Sequence, residues 1–238
     1  MVRGIAERLA TFAGGVLKVA FGAIMLMRRP RPIHARGVVL SGEMTWLGTS
    51  VTSGISWIDD PSPAPVAVTA RVSRSVGFPA PLPDVIGLAL RVTTDEAFAD
   101  LELASTGIGV PGRFALVPHR SPSRATFGVL IPYRSSRGPV MICARPFPVR
   151  TLTSDLQGIA DALTFEPWRL RLYFATPIGR WHPFAEMALR TSADQDDHAL
   201  RFDAQRNAVP GATSYRGEWL VRQPSYRLAQ RHGAPRGT

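Results

Sequence analysis

The sequence predicts an α+β chain: an antiparallel β-domain, either barrel or sandwich, with one helix ahead of it and one closing it. Three observations predict this. About seven short runs alternate apolar and polar residues, or run apolar with β-branched residues. Glycine and proline, 21 of each, are spread along the whole chain, as turns between many short strands require. Helical stretches are few, and no repeat of roughly 20–50 residues is present.

The first element is helical. Residues 4–27 read GIAERLATFAGGVLKVAFGAIMLM, and Arg28, Arg29 and Arg31 follow. The apolar part, Thr11 to Met27, is short for a spanning helix and carries Lys18 near its middle. No secretory cleavage site is present, and the main charge cluster follows the apolar run instead of preceding it. Two readings stand: an amphipathic helix packed on the domain, or an interfacial helix over residues 4–31 whose arginines face an anionic membrane surface. Arg31-Pro32 ends the helix, because proline disfavours helix in the residue before it.

Strands are expected at Val38 to Trp46, Val66 to Arg74, Val85 to Val92 and Ala99 to Ala104. In the last, Leu101 and Leu103 face one way, Asp100 and Glu102 the other. Pro139 to Ala144 runs apolar, as in a strand covered on both faces. Trp168 to Phe174 alternates most clearly, turns at Pro177-Ile178-Gly179 and returns as Pro183 to Arg190, a hairpin. Helices are expected from a Thr153 or Ser154 cap to Leu163, over Ser123 to Ile131, and over Gly217 to Arg231, the last interrupted by Pro224. The chain thus divides into an N-terminal helix (1–31), a β-domain with its closing helix (32–232) and a disordered tail (233–238).

Hydrophobic residues at 45% and charged residues at 19% exclude a largely disordered chain. The formal charge of +10 is almost all arginine, since Lys18 is the only lysine. It reads as a solvated basic surface or as a patch for an acidic partner. No basic cluster is interleaved with aromatics, so nucleic acid is not expected. Cys143 is the only cysteine and lies in the apolar run Val140 to Ala144. This excludes an internal disulfide, points to a buried inert thiol, and is compatible with a reducing cytoplasm. Residues 194–198, DQDDH, read as a solvated acidic loop in preference to a metal site. His119-Arg120 and Arg180-Trp181-His182 could each bind an anion. No P-loop, dinucleotide fingerprint, H-E-x-x-H helix or G-x-S-x-G elbow is present.

Five stretches carry a family resemblance. His34-Ala35-Arg36-Gly37 leads directly into the first strand, as a histidine does in haem catalases. Ala70-Arg71-Val72-Ser73 resembles the family's R-F-S strand. Asp84-Val85-Ile86-Gly87-Leu88-Ala89-Leu90-Arg91-Val92 is similar to its D-x-x-G-x-A-x-K-F strand. Asp100-Leu101 resembles the pair before its distal asparagine, and Arg222-Gln223-Pro224-Ser225-Tyr226 its R-x-x-x-Y ligand motif. The first four occur in family order at similar spacing over roughly residues 32–106. The resemblance therefore selects, from barrel and sandwich, the catalase-like antiparallel β-barrel.

It also implies haem b and a peroxide as partners. His34 would be the distal acid/base, since an imidazole titrating near neutrality passes a proton both ways. Ser73 would orient it, and Arg71, on the same strand face as Ser73, would meet a haem propionate. Tyr226 would ligate iron as tyrosinate, with Arg222 lowering its pKa from about 10. Each also has a plain structural reading: His34 as a barrel-entrance histidine, Arg71 and Ser73 as ordinary strand residues, Tyr226 as a packing anchor. The family's distal asparagine would fall near Ala104 or Ser105, and the arginine of its D-x-R-G strand at Ile86; neither residue type is there. The implied function is a haem-binding protein with weak peroxidase activity toward organic or hydrogen peroxides. The alternatives are a haem-free barrel serving as a binding module and a hydrolase of phosphodiesters. The expected location is the cytoplasm, at the membrane surface if residues 4–31 meet lipid.

Overall fold

A computed structural model describes residues 36–94, 98–192, 197 and 200–213. Among these, nine strands form: β1 Gly37–Trp46, β2 Val66–Arg74, β3 Ile86–Thr93, β4 Phe98–Thr106, β5 Thr126–Gly128, β6 Tyr133–Ser135, β7 Gly138–Pro146, β8 Trp168–Ala175 and β9 His182–Thr191. Every pairing is antiparallel, in the order β5-β4-β3-β2-β1-β9-β8-β7, and β5 pairs again with β7. That last pairing closes eight strands into a barrel and leaves β6 as a short partner at the start of β7. Closure removes the free sheet edges that an open array of this width would expose.

Strand alternation decides what lies inside. Leu40 and Met44 of β1, Val68, Ala70 and Val72 of β2, and Leu88 and Leu90 of β3 are buried in one core with Leu101 and Leu103 of β4. Fully buried Trp168 meets Phe127 edge-on at 5.8 Å. Near the far end of β1, Trp57 stands edge-on to Trp46 at 5.9 Å and to Phe184 at 5.4 Å, so aromatic rings seal the barrel there. β7 is buried on both faces from Val140 to Ala144, as its apolar run predicts.

Two helices lie outside the barrel among the described residues: α1 Ser56–Asp59 and α2 Leu156–Phe165. No helix among them is long and apolar enough to cross a membrane. α2 buries Ile159 and Leu163 and packs on β9 and β1. Its cap is Asp155, not Thr153 or Ser154: Asp155 Oδ1 accepts from Gly158 N at 2.6 Å. The helix expected over Ser123 to Ile131 does not form. A 3-10 turn, Pro122–Arg124, leads instead into β5, whose three residues supply the strand that closes the barrel. A short apolar run has no periodicity of its own, and the open edges of β4 and β7 decide its conformation. The expected helices over 4–31 and 217–231, and the tail after 233, lie outside the described residues.

After β9 the chain returns over the outside of the barrel as a strap. Asp197 meets Arg71, Arg201 O accepts from Arg91, and Asn207 O accepts from Asp100 N. Further on, Pro210 O accepts from Trp57 N, and Thr213 pairs with Arg134.

Candidate functional site

The register places one run of small residues across the outer face. Gly37 of β1 lies opposite Ser73 of β2, Ser73 opposite Gly87 of β3, Gly87 opposite Ala104 of β4, and Ala104 opposite Gly128 of β5. These alternate with the core residues on either side of them, so they look outward. No side chain in the row is longer than a hydroxymethyl group. Four inter-strand steps, half the way round the eight-stranded wall, carry this row about 19 Å along its curve. Arg71 and Ala89 stand in the next row. A methyl group on Gly37 would sit 2.8 Å from the Arg71 guanidinium, so glycine at 37 is what lets that side chain lie along the sheet.

Arg71 and Ser73 therefore share a face, as strand period requires, and Ser73 is 3% exposed. Arg71 holds Asp197 in a two-point ion pair, through Nε to Oδ1 and through Nη2 to Oδ2 at 3.1 Å. Asp197 Oδ2 also accepts from Gly37 N at 3.0 Å. The solvated loop expected over residues 194–198 is thus corrected at Asp197. Its side chain is 19% exposed because it neutralises a cation on the barrel wall. His34, Arg222 and Tyr226 lie outside the described residues. So does the rest of that acidic loop. Among the described residues, no three His, Cys, Asp or Glu side chains come together to hold a metal ion.

At the position of the family's distal asparagine, Ala104 looks outward. Ser105 points to the interior, where its hydroxyl accepts from Ile86 N at 3.0 Å and donates to Val117 O at 2.7 Å. Both of its roles are structural.

The aspartates of the matched motifs are structural too, a role sequence reasoning missed. Asp84, 1% exposed, accepts from Val76 N, Gly77 N and Phe78 N at 2.7–3.1 Å and holds that loop in place. Asp100, expected on the strand face opposite Leu101 and Leu103, is fully buried. It pairs with Arg91 at 2.7 and 2.8 Å and accepts from Asp203 N and from Asn207 Nδ2. The cross-strand partner Arg91 was a legible signal, since opposite charges face each other on adjacent strands. The strap that covers the pair was not. In His119-Arg120 the backbone is structural: His119 N and O bridge Asp84, and Arg120 O accepts from Arg74. Partial burial also lowers the His119 imidazole pKa, which disfavours its cationic form.

Cys143 lies opposite Gly128 and extends the small row onto β7. It is fully buried, and burial raises its thiol pKa to about 12, against smaller opposing effects of the Arg145 and Arg113 charges. Because the thiolate is the reactive form, the folded protein at pH 8 should leave Cys143 unmodified by iodoacetamide. Alkylation should appear only on unfolding in urea. Rapid labelling of the native chain would place the thiol elsewhere.

The described residues fit a planar, anionic group such as haem in two respects. The row of small residues leaves the outer face of β1–β5 without bulky side chains, and a guanidinium beside it already binds a carboxylate of its own chain with the geometry a propionate would need.

No family model matches the chain, and no curated protein matches it. Solved structures do. A bacterial catalase matches at 13% identity and a TM-score of 0.58, over 93% of this chain and 63% of that one. A fungal catalase matches at 13% identity and 0.62, over 92% and 63%. Catalase A from Saccharomyces cerevisiae matches at 12% identity and 0.60, over 91% and 63%. The chain thus spans 63% of the length of these catalases, and what it shares with them, at this identity, is the antiparallel β-barrel fold of catalases.

Proposed function

We propose that this chain binds haem b on the outer face of β1–β4 and acts as a weak peroxidase toward hydrogen or organic peroxides. The observation that carries the reading is the floor of Gly37, Ser73, Gly87, Ala104 and Gly128 with Arg71 beside it. Haem, when bound, supplies the redox-active iron. The chain supplies the rest. Arg71 holds a propionate in exchange for Asp197. Ser73 lies opposite Gly37, and His34 precedes Gly37 by three residues, within about 10 Å of extended backbone. That reach suits a hydroxyl that orients the imidazole, and the imidazole moves a proton between the two oxygens of a peroxide. Tyr226 ligates the metal as phenolate, favoured by the charge of Arg222. Rapid disproportionation is not expected, because neither Ala104 nor Ser105 offers an amide to the peroxide.

One observation favours a second reading, a haem-free binding module: Arg71 is already neutralised by Asp197. A single experiment separates the two. Protein purified with haem supplied should show a Soret band. Tyr226→Phe should abolish or shift it, and Arg71→Leu should weaken haem retention several-fold. His34→Ala should keep the band and lose peroxide turnover. A folded, colourless wild-type protein would end the haem reading and leave the binding module.

A further inference from the structure

We infer that the end of the barrel built from the β8–β9 hairpin is a docking surface for an anionic lipid bilayer, with a pocket that receives a headgroup phosphate. The inference is independent of haem and of residues 4–31.

The surface starts from two loops that are locked together. Trp181 Nε1 donates to Ile108 O at 2.9 Å. Arg113 Nη1 donates to Thr176 O and Gly179 O, both at 3.1 Å, and its guanidinium lies 4.6 Å from the Trp181 ring centre. The hairpin turn and the 107–113 loop therefore move as one body. That body presents aliphatic side chains to solvent: Ile178 is 83% exposed, Val110 51% and Ile108 39%. Isoleucine at a hairpin tip with this exposure contributes nothing to the core. A cluster of such residues on one rigid end marks an interaction site.

The charged side chains lining the cavity beside it have one sign. On the other flank of the hairpin a cavity of about 260 Å³ is lined by Arg137, Arg180 and His182, with Ser53, Val51 and Phe174 among its walls and no acidic residue. Asp59, behind Ser53, is taken up by Ser53 N, Ser53 Oγ and Gly54 N at 2.7–2.8 Å. Arg113 adds a third guanidinium behind the wall that Thr176 and Gly179 form. It is 5% exposed, and it has no carboxylate partner among the described residues. Its Nε is buried without a hydrogen-bond acceptor. Buried cations are ordinarily paired, so this end of the barrel holds positive charge that an external anion can balance.

Aliphatic side chains flanked by arginines match the boundary between phosphate headgroups and acyl chains. A nucleic acid would call for exposed rings on which bases stack, and the exposed residues here are aliphatic. In the docked state Ile178 and Val110 enter the acyl boundary, and Arg137 and Arg180 engage phosphates.

The test is co-sedimentation of the full-length protein with phosphatidylcholine vesicles, with and without phosphatidylglycerol. Pelleting should require phosphatidylglycerol and fall as salt rises. Arg137→Gln with Arg180→Gln should reduce it about tenfold or more, since each arginine near an anionic surface is worth roughly fivefold. Ile178→Asp with Val110→Asp should reduce it by a similar factor, and the milder Ile178→Ser should reduce it in part. All these positions are exposed, so circular dichroism should show the folded barrel throughout. Three results would overturn the proposal. They are equal pelleting with phosphatidylcholine alone, pelleting that the tip variants leave unchanged, and saturable binding of inorganic phosphate with no vesicle binding.

Discussion

Asp100→Ala should lower the unfolding free energy by about 3–5 kcal/mol, the usual cost of breaking a buried ion pair from one side. For a chain of this size that corresponds to a fall in Tm of roughly 10 °C. The size follows from what the carboxylate does. It is fully buried and accepts from Arg91, Asp203 N and Asn207 Nδ2, so its removal leaves donors from two separate segments unmet. Arg91 is also held over Phe98 and Phe202, at 4.2 and 5.2 Å from the ring centres, and loses its anchor. Hydrogen exchange at Asp203 and Asn207 should rise before the barrel strands open, because the strap is fastened at this point. A variant that melts within about 2 °C of the wild type would mean that the strap is held elsewhere.

Arg74→Leu should cost a similar amount, about 3–5 kcal/mol, and should loosen a different region. Arg74 is 8% exposed and reaches four backbone carbonyls, those of Phe78, Leu82, Arg120 and Ser154. It also lies 3.9 Å from Asp84, which is itself buried and clamps the loop after β2. Leucine matches the bulk of the stem and none of the donors, so the carbonyls and the Asp84 charge stay buried without their cation. Limited proteolysis should then cut first between residues 75 and 85. Urea unfolding with an unchanged midpoint, or first cleavage at an unrelated site, would contradict the assignment. Lysine at 74 should restore only part of the loss, because one ammonium cannot reach carbonyls spread around a planar fork.

Much of the barrel was legible in the residues themselves. Strand β2 begins and ends where the Val66 to Arg74 pattern does, and the Trp168–Arg190 stretch is the hairpin its alternation implies. The shared face of Arg71 and Ser73 was equally readable, since it needs only the two-residue period. Short, weakly patterned elements were not. The Ser123 to Ile131 stretch reads as a helix because nothing local forbids it; strand pairing with β4 and β7 overrides it. The candidate floor needs four registers at once, and no single strand announces that its glycine will face another's serine.

The sequence by itself determined which residues could line a barrel, which face of each strand is apolar, and that Cys143 is an inert interior thiol. Those properties depend on the side chain and its immediate neighbours. Only the tertiary structure decided that the sheet closes, that Asp84 and Asp100 are buried clamps, and that Asp197 neutralises Arg71. The Asp84 clamp is local, but closure, the strap over Asp100 and the Asp197 pair need groups far apart in the chain to meet: 126 positions separate Arg71 from Asp197. A charged residue is stable in the interior only where such a distant partner arrives, and local periodicity carries no information about that arrival.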